Sequence, residues 1–208
     1  MPDKLLILTA LTLEAKALEP LLKSAGQTQL AVIGMRGVRM SDQLILNHNP
    51  NGIILAGLAG GLDPMLKVGD VLVDESANGP WPKLPYQYGA IHSSSKLISS
   101  PTAKAALFAQ TGARAVDMES DIVRRCAAIA GLPLLTIRAI SDAAEDEISP
   151  RLISCVDERG NPRPAALAAM LALHPSMIPS LIRLGKNTRV ACARLTEAVG
   201  MLLKNRSK

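Results

Sequence analysis

The chain has 208 residues, 48% of them hydrophobic, which is enough for one well-formed core and short for two. Aromatic residues make up only 2%, so Leu, Ile, Val, Ala and Met must build that core, and the usual stacking platforms for nucleic acid are missing. The formal net charge is +5, but much of the excess lies near the C-terminus, in Arg183, Lys186, Arg189, Arg194, Lys204, Arg206 and Lys208; a charged helix face and a solvated tail account for it without a nucleic-acid partner. Cys126, Cys155 and Cys192 share no CxxC spacing, which fits a reducing cytosol and offers no metal site. After Met1-Pro2-Asp3-Lys4 the apolar segment is brief and runs into Glu14 and Lys16, unlike a signal peptide, and no uninterrupted apolar run is long enough for a bilayer. The expectation is one soluble, cytoplasmic α/β domain, with peripheral membrane contact left open.

In chain order, Leu5 to Thr9 predicts a first strand, followed by a helical pattern for which Thr12 is the candidate N-cap. Glu14 falls in that helix's first turn, near the tip of the strand, where complementing the helix dipole is already a sufficient reason for an acid. Leu30 to Ile33 predicts a second strand ending in Gly34-Met35-Arg36-Gly37-Val38-Arg39. Glycines bracketing arginines there either serve turn geometry or let amides and guanidinium groups approach an anion. A short helix is predicted over 41–47, then a turn at Asn49-Pro50-Asn51-Gly52 and a third strand at Ile53-Ile54-Leu55-Ala56. Gly57-Leu58-Ala59-Gly60-Gly61-Leu62 follows and reads as a tight turn that brings backbone close to a ligand. It is not the dinucleotide fingerprint, since Asp63-Pro64 stands where a helix should begin, and no other cofactor signature is present.

Residues 66–73 predict a turn and a fourth strand. Residues 78–95 form the least regular stretch, with Trp81, Tyr86 and Tyr88 among Pro80, Pro82 and Pro85; a loop of this kind is expected to cover a site or dock a partner. His92 at its end is read as incidental. Pro101 to Gln110 predicts a helix capped by Ser99 or Ser100.

The stretch from Gly112 to Glu147 organises the rest. Glu119 closes the run Ala115-Val116-Asp117-Met118 and opens a helical pattern with Ile122, Cys126 and Ile129 on one face; Asp142 closes the apolar, partly β-branched run from Leu134 to Ser141. Strand, helix, Gly131-Leu132-Pro133 and strand read as a parallel crossover, with both acids at carboxyl ends of strands, the edge where open α/β sheets bind ligands. Taken singly, Glu119 is explained as a first-turn acid and Asp142 as an N-cap. Beyond a turn at 157–162, an apolar helical region from Pro164 to Ile182 is broken by Pro175 and Pro179, and a last helix runs from Asn187 to about Leu203. This tail (160–208) is more apolar than a solvent-facing helix needs, and core packing, a dimer face or lipid contact would each account for it.

Four blocks carry a resemblance to the nucleoside phosphorylase and nucleosidase superfamily, above all to methylthioadenosine/S-adenosylhomocysteine nucleosidases: Thr9-Ala10-Leu11-Thr12-Leu13-Glu14; Gly57-Leu58-Ala59-Gly60-Gly61-Leu62 with Lys67-Val68-Gly69-Asp70; Ala115-Val116-Asp117-Met118-Glu119-Ser120; and Arg138-Ala139-Ile140-Ser141-Asp142. The ending from Asp157 to Leu184 resembles the hopanoid-associated branch, which acts on adenosylhopane. The resemblance implies one three-layer α/β/α domain with a mixed central sheet, no cofactor or metal, a purine nucleoside substrate that is lipid-linked in that branch, and a homodimer. It implies that Asp142, positioned by Ser141, is the acid facing purine N7, that Glu119 holds the ribose hydroxyls with Met118 beneath the sugar, and that Glu14 orients or activates water. Gly34, Met35, Arg39, Gly60 and Leu97 are the further substrate-binding positions it implies. Two departures stand out: Leu58 replaces a serine, and no arginine stands near Leu55 where phosphorylases hold phosphate. Both favour water as acceptor, while Arg36 or Arg39 keeps phosphorolysis open. The base-stacking phenylalanine expected near Ser95-Lys96-Leu97 has no counterpart.

Overall fold

The computed structural model describes residues 2–23, 25–40, 42–74 and 76–205. Its sheet contains β1 (Leu5–Thr9), β2 (Thr28–Val32), β3 (Gly52–Gly61), β4 (Val71–Asp74), β5 (Gln87–Gly89), β6 (Ile91–Ser93), β7 (Ala115–Asp117) and β8 (Leu134–Asp142). The helices are α1 (Thr12–Leu22), α2 (Asp42–His48), α3 (Pro101–Thr111), α4 (Ser120–Ile129), α5 (Pro150–Ile153), α6 (Pro164–Leu173) and α7 (Ile178–Lys204). The helix predicted from Ser41 therefore begins at Asp42, Ser41 itself lying outside the described residues, as do Arg206 and Lys208 of the basic tail.

Strand periodicity assigns the two faces. Leu5, Ile7, Ile54 and Ala56 point to one side, where Ala191, Leu195, Ala198 and Leu202 of α7 and Leu18 of α1 meet them; Leu6, Leu8, Ile53 and Leu55 point to the other, against Ile45 of α2 and Val123 and Ala127 of α4. Helices thus cover both faces of a mixed sheet, the three-layer arrangement expected. On α4 the fully buried positions are Ser120, Val123 and Ala127; Ile122 and Cys126 of the predicted stripe pack half-buried against the same cluster, while Ile129 is 76% exposed.

β3 is the spine. β8 runs parallel to it from Ile53 to Gly60 on one edge. On the other edge β1 pairs with Gly52 to Leu55, and β7 pairs antiparallel at Gly60 and Gly61. Two expectations change here. The glycine run after Ala56 is strand, not turn, since β8 continues to pair with it. And β7–α4–β8 is not a parallel crossover: β7 opposes β3 while β8 follows it, so β7 and β8 run in opposite directions.

The aromatic loop starts at the far end of the sheet from the glycines and runs back to them, its last strand β6 pairing with β7. Trp81 packs by Gly52, at the start of β3, and donates its indole N–H to Asn78 O (2.8 Å). The loop docks on the core and supplies the short strands β5 and β6. The C-terminal region also differs from expectation. Pro179 falls in the first turn of one continuous helix from Ile178, where a missing N–H costs nothing because no intrahelical acceptor exists for it. The break expected at Pro175 is present, at His174 and the 3₁₀ turn Pro175–Met177.

Candidate active site

β3 leaves one edge unpaired between β1 and β7, and Glu14 fills that gap. Its Oε1 accepts the Leu58 N–H (2.7 Å) and its Oε2 the Leu11 N–H (2.8 Å). Leu11, not Thr12, is the N-cap of α1; its side chain has no acceptor, so the carboxylate three residues on satisfies the cap amide. The local, helix-capping reason for this acid is therefore real, but it does not explain why the side chain is only 1% exposed and also ties down the middle of the sheet. Burial drives the Glu14 pKa above the usual carboxylate range, against the pull of Arg138 and the amides.

Glu119 follows β7 as N-cap of α4, but its carboxylate does not cap. Asp117 takes that work, accepting the Glu119 and Ser120 amides on Oδ1 (3.3 and 3.1 Å) and the Ser120 hydroxyl on Oδ2. This frees Glu119, whose Oε1 accepts the Arg36 N–H (3.0 Å). The Gly34–Gly37 turn supplies that amide because Gly34, Arg36 and Gly37 all have positive φ (75°, 60° and 61°). For the non-glycine Arg36 this conformation costs about 1–2 kcal/mol. The anion met by this turn's backbone is thus the chain's own carboxylate. Desolvation, reinforced by Asp117 and Glu14 and opposed by Arg138, raises the Glu119 pKa to about 7.

Between these acids lies Arg138, fully buried on β8. Its Nε donates to Asp117 Oδ2 (2.8 Å), and its Nη2 stands 2.5 Å from the same oxygen and 3.5 Å from Glu119 Oε2. These two Nη2 contacts are close enough for ion pairing but are not aligned as hydrogen bonds, and Nη1 has no partner among the described residues. Burial alone would favour the neutral guanidine, but Asp117, Glu119 and Glu14 outweigh it and raise the Arg138 pKa further. Burial would likewise raise Asp117, yet Arg138 and Ser120 hold it below its ordinary value. Gly57 makes the arrangement sterically possible, since a methyl there would collide with Arg138 Nη1 and come within 2.9 Å of Glu14 Oε1.

Asp142 ends β8 after a bulge at Ser141, where Ala59 faces Ile140 and Gly60 faces Asp142. The bulge lets Ser141 Oγ donate to Asp142 Oδ1 (2.8 Å). Oδ2 accepts from Lys104 Nζ (2.6 Å), a fully buried lysine of α3 that also donates to Ala143 O (2.6 Å) and Asp146 O (3.0 Å). Lys104, Asp117 and Arg138 are the three polar residues here to which sequence reading gave no role. Lys104 leaves no sequence signal, sitting between alanines in a weakly amphipathic helix, whereas Arg138, a lone cation inside an apolar strand run, is a visible anomaly.

One cavity of about 280 Å³ is lined by Glu14, Met35, Gly60, Leu97, Met118 and Glu119 together with Ser141 and Asp142. Eight of the ten anticipated site residues thus share a wall. Gly34 and Arg39 are not on it: Gly34 is buried against Val38 and Glu158, and Arg39 is exposed. Trp81, Tyr86, Tyr88 and His92 are also absent from this wall. Apolar residues complete it, among them Leu11, Leu13, Ile153, Val156 and Leu184. Chemically, the cavity wall carries four carboxylates, those of Glu14, Asp117, Glu119 and Asp142, in an otherwise largely apolar hollow, with the Arg138 guanidinium buried behind them, which suits a neutral guest that develops positive charge.

A family model described as the phosphorylase superfamily matches residues 74–173. Among solved structures, the 5′-methylthioadenosine/S-adenosylhomocysteine nucleosidase of Neisseria meningitidis, in complex with methylthio-immucillin-A, matches 98% of this chain and 99% of its own, with a TM-score of 0.68 and 19% identity. The corresponding Helicobacter pylori nucleosidase matches 98% of both chains at TM-score 0.64 and 16% identity. The futalosine hydrolase of Helicobacter pylori matches 96% of this chain and 98% of its own at TM-score 0.59 and 19% identity. The fold is therefore that of these nucleosidases along nearly its whole length.

Proposed function

We propose that the chain cleaves the N-glycosidic bond of an adenine nucleoside carrying a 5′ substituent and releases adenine. The observation that carries this reading is the convergence of Glu14, Glu119 and Asp142, from three distant parts of the chain, on one hollow. Breaking a ribosyl C–N bond passes through a sugar cation like that of glycoside hydrolysis. A purine leaves poorly until protonated, and a positioned acid contributes roughly 10²–10⁴-fold. Asp142 is the group to deliver that proton to N7, with Ser141 fixing one oxygen and Lys104 holding the other. Glu119 accepts the ribose hydroxyls, Met118 packs beneath the sugar, and Leu97 lies along the base. Glu14, which lines the cavity, orients or activates the attacking water.

Water is the proposed acceptor, since neither Arg36 nor Arg39 lines the cavity. The apolar part of the wall favours a greasy 5′ group, of which adenosylhopane is the proposed example; a homodimer, checked by light scattering, is part of the same reading. The test is incubation with a panel of adenosine derivatives, with and without phosphate, identifying the sugar product by mass. Phosphate-independent adenine release is expected, with turnover reduced about 10²–10⁴-fold in Asp142→Asn. A sugar phosphate product would replace hydrolysis by phosphorolysis. Tight nucleoside binding with no free base would leave a non-catalytic binder.

A further inference from the structure

Residues 164–182 contain no Asp, Glu, Lys or Arg in nineteen positions. They form α6, the 3₁₀ turn and the start of α7, folded into a hairpin with a 111° bend. Its inner face makes a small cluster of its own, Met170 with Leu167 and Leu171 against Leu152, Cys155 and Leu181. Its outer face is equally apolar: Ala165, Ala168, Ala169 and Ala172 are exposed, as are Leu173 (76%), Ile178 (43%) and Ile182 (53%). A helix apolar on all sides is matched to an apolar surrounding, and water is not one. Among the described residues no single helix is long and apolar enough to cross a membrane, though the bent pair passes that test of length and composition together.

Charge says what covers this face. Exposed Arg151, Arg159, Arg163, Arg183, Lys186 and Arg189 flank the uncharged segment, outnumbering the nearby acids Asp157 and Glu158 and the Asp146 and Glu147 carboxylates that share a hollow with Met177 and Ser180. Of these cations Arg183 has a partner in Asp146, at a loose 3.9 Å. Two copies joined face to face through the hairpin would bring two cationic fringes together. A surface with an apolar interior and anionic headgroups satisfies both the bare face and its rim. We propose that the α6–α7 hairpin is an interfacial docking element that seats the protein on an anionic lipid bilayer without spanning it.

The hairpin also borders the candidate site, since Leu152 and Leu184 belong both to its inner cluster and to the cavity wall. Docking would therefore hold the cavity next to the bilayer.

The experiment is flotation of the full chain with vesicles of phosphatidylcholine alone or mixed with phosphatidylglycerol, at low and high salt. Binding is expected to the mixed vesicles, weakening with salt. Leu173→Asp combined with Ile182→Asp, neither residue in the cavity wall, should lower the vesicle partition coefficient at least tenfold. Arg163→Glu combined with Lys186→Glu should remove the preference for anionic lipid. Absence of flotation at low salt, or flotation unaffected by the Leu173/Ile182 variant, overturns the proposal. So does a light-scattering mass that halves in that variant, which would assign the face to a second copy. Adenine release is measured in parallel from a short soluble nucleoside, so loss of the catalytic reading and loss of docking are separate outcomes.

Discussion

A glutamate whose pKa is raised to about 7 changes charge inside the ordinary working range. If Glu119 must be ionised to accept ribose hydroxyls, kcat/KM should rise with pH through about 7, because that ratio reports the free protein's titration. Glu119→Gln should be slow and should lose this step, measured as adenine release across pH 5.5–8.5. Arg138 is the reverse case, a cation whose removal leaves Asp117, Glu119 and Glu14 facing each other without compensation. Arg138→Met should destabilise by about 3–5 kcal/mol in urea denaturation, the usual result of breaking a buried ion pair by removing one partner. Single residues were also where sequence was most and least informative. Glu119 and Asp142 were legible because carboxylates after apolar runs are anomalies that demand a reason. Lys104 was not, because its meaning lies wholly in the 38 residues that folding closes between it and Asp142.

At the scale of elements, periodicity located six of the eight strands and most helices, while β5 and β6, inside the irregular stretch 78–95, and strand direction escaped it. The run Ala115–Asp117 is three residues long, and nothing in so short a segment tells whether it lies along β3 or against it; the pairing at Gly60 and Gly61 decides. The glycines of β3 misled for a related reason. Glycine usually marks a turn, but here the missing Cβ admits the Arg138 guanidinium beneath a strand. Gly57→Ala should therefore cost about 1–3 kcal/mol as overpacking, and should lower activity beyond that by displacing Arg138 and Glu14 together. Thermal melting and adenine release on the same preparation check both. α7 shows the opposite outcome: Pro179 suggests a break, and only its place in the first turn makes it compatible with 27 continuous residues.

For the molecule as a whole, burying two carboxylates with raised pKa values sets stability against activity. A folded-state pKa above the unfolded one contributes stability that is complete below the ordinary carboxylate value and lost as pH rises through the folded value. Unfolding free energy should thus fall between about pH 5 and pH 8 while kcat/KM climbs, and Glu119→Gln should flatten the first trend in urea titrations at the two ends. Such opposition is the expected signature of a site kept dry and charged at the expense of the fold.

The shared edge of β3 has one more consequence. β1 and β7 are seated on the same edge a few residues apart, so the separation of Glu14 from Glu119 is a length of backbone, fixed by residues 56–59. One inserted residue there would slide β7 along by about 3.3 Å and turn alternate side chains to the wrong face. Loops elsewhere are free to drift in length over evolution; this segment acts as a ruler, and lineages that keep the chemistry should keep its count.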